Sequence, residues 1–171
     1  MSTDTTKYFH DVIVDITTLV HYIDIQEKYM KITSRFTLAI QTLLVIACFS
    51  EKTKVTSTFL SNSTNSNPVI IRRILGQLKK AGLVEIKAGV GGSYIKKPLD
   101  EITLFDVFNA VNAADYEIFS FHDNPECNCP VGKNIHTILD SHLLQIQEVM
   151  NHQMKSTSLA TLLEETKPYI K

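Results

Sequence analysis

The stretch "ECNCPVG", residues 126–132, sets Cys127 and Cys129 one residue apart in a chain whose single other cysteine is Cys48. Thiols so placed are suited to metal ligation, reversible oxidation or nucleophilic attack. A zinc site would need His122 and His136 as further ligands, and Cys-x-Cys is an unusual spacing for structural zinc. A small thiol enzyme would pair Cys127 with His136, but no orienting carboxylate or oxyanion loop is recognisable to support it. Gly89, Gly91 and Gly92 lack the strand-to-helix setting and the Lys-Ser/Thr ending of a phosphate loop. A redox-sensing role for Cys127 and Cys129 fits better. A loop exposes them and the N-terminus of the next helix favours a thiolate, against the opposing charges of Asp123 and Glu126. A loop with no sensing role is the remaining reading. No metal site is assigned.

What these thiols serve depends on the rest of the chain. Its 171 residues, 44% of them hydrophobic, suit a globular protein with a real core. No apolar run reaches the ~20 residues that span a bilayer, and the N-terminus lacks the basic region and cleavage site of a signal peptide. Three cysteines in no framework spacing point to a cytoplasmic chain with free thiols. The net charge of −1 hides a strong division. Residues 30–99 carry eleven Lys and Arg against Glu51 and Glu85, a balance of +9. Residues 100–171 carry four lysines against eleven acids, a balance of −7. A basic block of this kind implies a polyanion partner, because every neutralised phosphate releases counterions.

The elements that hold this charge are legible from periodicity. Phe36, Ala39, Ile40, Leu43 and Ala47 lie on one side of a helix over 34–49, and Leu38, Val45 and Phe49 imply burial on a second side. Thr56 caps a short helix that ends in the turn from Asn62 to Asn67. Asn67-Pro68 starts the next, with Ile71, Ile74, Leu75 and Leu78 as its apolar stripe and Gly82 as its stop. A strand, glycine-rich turn and strand follow, over Val84–Ile86 and Ser93–Ile95. Thr103 and Asp106 form a capping box for a helix through Val111. A loop from about Asn112 to Asn134 holds the cysteines. A long amphipathic helix then carries Ile135, Ile138, Leu139, His142, Leu143, Ile146, Val149, Met150 and Met154 on one side, and Ser156 or Ser158 caps a short last helix.

Two short helices across a tight turn, followed by a glycine-tipped hairpin, make a winged helix-turn-helix. The second helix offers Val69, Arg72 and Arg73 on its exposed face, Gly76 keeps that face narrow, and Lys87, Lys96 and Lys97 surround the wing. The partner this predicts is double-stranded DNA.

The segments "ITSRFTLAIQTLLVIA", "NPVIIRRILGQLKKAGLV", "GVGGSYIKKPLDEITLFDVFNAV" and "CPVG" closely resemble the Rrf-two (BadM-type, IscR-like) family of bacterial transcriptional regulators, from Met30 to about Glu165. The resemblance implies a mainly α protein. It would have a winged helix-turn-helix domain with a small two-stranded wing, plus a long C-terminal dimerisation helix. It further implies a homodimer on a palindromic operator, usually repressing transcription, and no enzymatic activity. Carried over by position, Pro68, Val69, Arg72 and Arg73 belong to the recognition helix, Ser57 and Thr58 make positioning contacts, and Gly91, Gly92, Ser93 and Tyr94 form the wing. Tyr94 serves equally well as a core residue of its strand. The side from Ile135 to Met150 becomes the dimer interface. Some relatives hold an iron–sulfur cluster through three cysteines in this loop; no third cysteine follows Cys129 here, so no cofactor is expected. Other relatives without a cluster respond to thiol oxidation or to a protein corepressor.

The domain organisation expected is an N-terminal extension (1–29), the DNA-binding domain (30–99), a linker helix with the cysteine loop (100–134), and the dimerisation and C-terminal helices (135–171). The extension places Phe9, Val12, Ile13, Ile16, Val20 and Ile23 on one helical side, but its β-branched content makes a weak helix. Met30 is a plausible true start.

Overall fold

The computed structural model describes residues 34–87, 91–112 and 129–170. The N-terminal extension, Cys127, His122, Asp123, Glu126 and Gly89 lie outside the described residues.

The first helix, α1, covers residues 34–49. Ala39, Leu43 and Ile46 are fully buried, and Phe36, Leu38, Ile40, Leu44, Val45 and Phe49 pack partly around them. The two-sided burial expected from its pattern is there. The deepest line, however, runs through Thr42 and Ile46 in place of Ile40 and Ala47. Helix α2 spans Ser57–Thr64, where Thr56 Oγ1 accepts from the Phe59 N–H at 3.1 Å. It closes at Asn65, whose left-handed backbone (φ 47°) turns the chain within three residues toward Pro68.

Helix α3 runs Pro68–Lys80, with Asn67 Oδ1 accepting from the Val69 N–H at 2.8 Å and proline occupying a position that needs no donor. Ile71, Ile74, Leu75 and Leu78 are its buried stripe. At its end Gly82 takes φ +74°; the Gly82 N–H donates to Lys79 O and the Leu83 N–H to Leu78 O, a Schellman closure. That closure aims the chain into β1 (Val84–Ile86), which pairs antiparallel with β2 (Ser93–Ile95) in the register Val84↔Ile95, Glu85↔Tyr94 and Ile86↔Ser93.

A 3-10 turn at Leu99–Glu101 leads to α4 (Leu104–Val111). Its capping box is complete, with the Asp106 N–H donating to Thr103 Oγ1 and the Thr103 N–H donating to Asp106 Oδ2. Helix α5 runs Pro130–Ser156 and α6 Leu159–Thr166, capped by Ser158, before a final 3-10 turn at Lys167–Tyr169. The cysteine loop was expected to continue to Asn134. The helix instead begins at Pro130, because proline at the first helical position needs no hydrogen-bond acceptor and Cys129 can occupy the cap.

One apolar cluster joins α1, α2, α3, β1, α4 and α6 through Leu43, Leu60, Ile74, Val84, Val107 and Leu159. The start of α6 is also stitched to the start of α4: the Leu104 N–H donates to Thr157 O and the Leu159 N–H to Ile102 O at 2.7 Å. Helix α5 contributes Met154 as its one buried residue. No helix among the described residues is long and apolar enough to cross a membrane.

Candidate nucleic-acid interface and cysteine site

The stripe that anchors α3 leaves the opposite side of the helix bare. Val69 is 65% exposed, and Arg72, Arg73 and Gly76 face outward beside it. The Arg72 Nε–H donates to Pro68 O at 3.2 Å, which leaves the guanidinium's outer N–H groups available to a ligand. Pro68 is half-buried, so it sets the helix start, and its neighbours supply the outward surface. Around Gly76 there is open space: an added Cβ would meet nothing within 4 Å. On α2, Thr58 is exposed and Ser57 half-buried at the first turn.

The wing is pinned to the linker between α1 and α2. The Ser93 N–H donates to Val55 O at 2.9 Å, and within the hairpin itself the Lys87 N–H donates to Gly92 O at 3.0 Å. Gly91 is required sterically, and Gly92 is tightly seated. A Cβ on Gly91 would sit 2.2 Å from Lys87 Cβ, and one on Gly92 would crowd the Val55 backbone at 3.0 and 3.1 Å. Ser93 is 2% exposed, so this expected contact residue is an anchor of the wing rather than part of its outer surface, because its position on β2 faces the core. Tyr94 is half-buried with Lys87 Nζ 4.9 Å from its ring centroid, a cation–π contact that holds a charge over the hairpin. Lys96 and Lys97 are exposed beyond β2. Between α3, the start of α2 and the wing lies a cleft of about 230 Å³ floored by Val55, Leu75 and Ile86 and edged by Arg72 and Lys87. No sequence period reveals this cleft, since its walls come from four elements.

A buried-stripe helix after a three-residue turn, with a cationic hairpin beside it, defines a winged helix-turn-helix DNA-binding protein. The sequence pattern of Rrf2, described as iron-dependent transcriptional regulator, matches residues 32–165. The chain is 39% identical over 132 residues to YwnA of Bacillus subtilis (strain 168), named as an HTH-type transcriptional regulator, covering 77% of this chain and 96% of that one. A crystal structure of a protein described as DNA-binding aligns with a TM-score of 0.61 at 35% identity, covering 75% of this chain and 98% of the other. IscR of T. potens shares the fold, with a TM-score of 0.60 at 15% identity over 80% of this chain and 88% of its own. The protein belongs to the Rrf2 family. It is a DNA-binding transcriptional regulator, and the alternative of a small Cys-His enzyme is set aside because the family and its relatives are regulators.

The second site is Cys129. It is exposed at the cap of α5, where Ser, Thr or Asp usually stands. The backbone N–H of Gly132, and next that of Val131, lie toward its sulfur and hold the thiol pKa below the usual cysteine range, although no capping hydrogen bond of full geometry forms. Pro130 has no N–H to offer, so the two unsatisfied donors of this helix start converge on one sulfur. His136 lies two turns further along α5, with Nδ1 3.4 Å from Asp140 Oδ1. Cys48 is half-buried on α1. The family description names iron, and the thiols of this chain do not make up the ligand set of an iron–sulfur cluster. The loop supplies two cysteines, Cys127 and Cys129, and the third cysteine of the chain, Cys48, stands on α1, one thiolate fewer than the three loop cysteines of cluster-bearing relatives. Among the described residues no three His, Cys, Asp or Glu side chains come together as a metal site.

Proposed function

We propose that the protein is a homodimeric repressor that binds a palindromic operator, with α3 in the major groove and the wing on the flanking backbone, and that it senses oxidants through Cys127 and Cys129. The observation that carries this reading is the pairing of two bare surfaces: the cationic outer side of α3 and an apolar side of α5. Ile138, Ile146 and Val149 are 55%, 53% and 65% exposed, far more than isolated apolar residues on a soluble helix need to be. Ile135, Leu139, His142, Leu143 and Met150 lie along the same side of that helix. A second copy of α5 would cover this side and set two recognition helices at a fixed separation, as a two-fold operator requires.

On α3, Arg72 and Arg73 read base edges or grip phosphates, Val69 makes apolar base contact, and Ser57 and Thr58 position the backbone. Gly91 and Gly92 shape the wing from within, Gly92 buried against Val55, so that Lys87, Lys96 and Lys97 stand toward the duplex. The protein works without an iron–sulfur cluster. Oxidation joins Cys127 or Cys129 in a disulfide within the loop or to the partner subunit, releasing two electrons and two protons to an oxidant such as a peroxide.

The test is fluorescence anisotropy on duplex DNA from upstream of the gene, across a salt series. It would use reduced and oxidised protein, the Cys127→Ser and Cys129→Ser variants, and Arg72→Ala and Arg73→Ala. The expected slope of log affinity against log salt is steep, at about −0.9 per phosphate neutralised. Each arginine variant should lower it by about one contact or relax base preference at a cost of ~1–3 kcal/mol. Oxidation should weaken the wild type and spare the serine variants. Binding indifferent to oxidation would end the redox reading and leave the regulator standing.

A further inference from the structure

Helix α4 is tied at both ends. Its first turn is stitched by main-chain hydrogen bonds to the junction of α5 and α6, and Lys155 of α5 places its Nζ 4.6 Å from the Phe105 ring centroid. Its last turn is held by the recognition helix: Gln77 Nε2 donates to Val111 O at 3.1 Å, across 34 residues of sequence. The first tie is backbone and apolar. The second combines core packing of Val107 and Val111 with one polar contact, which rests on a single side chain because Val111's last-turn carbonyl has no intrahelical partner to replace it.

Two further atoms mark this joint. Gln77 Oε1 and Asn112 Nδ2 are both buried and have no hydrogen-bond partner among the described residues. The amide strands its own Oε1 to make one contact across the joint, and an apolar residue at 77 would in turn leave Val111 O without its donor, so the side chain is held by that contact and not by burial of its amide.

We infer that Gln77 is a positioning residue that fixes the recognition helix against the α4–α5 frame, and so sets the half-site spacing that the dimer reads. This rests on the proposal that α5 forms the dimer. If α5 fixes the two-fold axis, the distance from that axis to each α3 is relayed through α4, a short strut of eight residues. Packing of Ile74 and Leu78 holds α3 in the core, while Gln77 fixes its rotation and slide against the strut. Loss of the hydrogen bond should therefore loosen spacing more than it weakens binding.

The experiment compares full-length wild type with Gln77→Leu and Gln77→Met. Each is tested on a palindromic duplex selected from a random pool by the wild type, and on the same duplex with one base pair inserted or removed at its centre. The wild type is expected to lose at least about tenfold in affinity on either change, since one base pair shifts a half-site by about 3.4 Å and rotates it. The variants are expected to lose less than about threefold, with the salt slope and the sedimentation of the wild type unchanged. Dimeric variants that keep the full spacing preference would overturn the inference and leave the dimer reading intact. So would variants that weaken equally on every duplex. A wild type that sediments as a monomer on DNA would overturn the dimer reading and this inference with it. If one variant fails to fold, the other decides.

Discussion

Cys129 shows how a single position acquires chemistry from its place in a helix. A serine there would cap α5 and nothing more; a cysteine receives the same two backbone donors, from Gly132 and Val131, and they favour its ionised form. Because the thiol pKa is lowered in the folded chain, the thiolate is populated at lower pH than in the unfolded chain. Alkylation by iodoacetamide should follow. In a chain with Cys48→Ala and Cys127→Ser, the rate against pH should inflect below the ordinary cysteine value of about 8.5, and return to it in urea. Equal inflections in the two conditions would mean that the helix start does not act on the sulfur. This site was half legible. The Cys-x-Cys pair and a following helix were evident from residue types, but the sequence pattern put the helix start near Ile135. The capping position of Cys129 emerged only once Pro130 was seen to be the first helical residue.

At the scale of elements, the helix-turn-helix and wing were almost wholly written in local chemistry. Asn67-Pro68, the Ile71–Leu78 stripe, Gly82 and the Thr103–Asp106 box each act within a few residues, and each is found as expected. Gly76 separates stability from function within α3. Its surroundings are empty and its backbone is helical, so Gly76→Ala should stabilise the protein by ~1 kcal/mol through helix propensity. Thermal melting should rise by roughly 3 °C. The added methyl stands on the exposed side of α3, the side proposed to face DNA, so affinity for the operator should fall in the same variant. A variant both more stable and equally tight would remove this turn of α3 from the interface. The role of Ser93 was not legible at this scale, because alternation along a three-residue strand does not say which side the α1–α2 linker covers.

For the whole molecule, the decisive feature is what the fold leaves uncovered. Met154 at the far end of α5 is its one buried residue, while Ile138, Ile146 and Val149 stay exposed. Placing Asp at both Ile138 and Val149 should break the proposed dimer. Sedimentation should then give a folded monomer, with unchanged helical content by circular dichroism and much weaker, less sequence-selective DNA binding. A double variant that still sediments as a dimer would move the interface elsewhere. Leu144, 65% exposed, lies outside the stripe read from periodicity and belongs to the same uncovered helix.

The sequence by itself determined the recognition helix, its caps, the wing and the division of charge. Those depend on φ preferences, capping hydrogen bonds and period, which operate over one to four residues. Tertiary structure alone decided which apolar faces found partners: α1 lost both sides to the core, while α5 kept one bare despite a comparable pattern. It also decided that Gln77 reaches Val111, a contact between residues 34 apart that no local rule anticipates. Side chains declare their preferences in sequence, but which surface they meet depends on how distant segments close on one another.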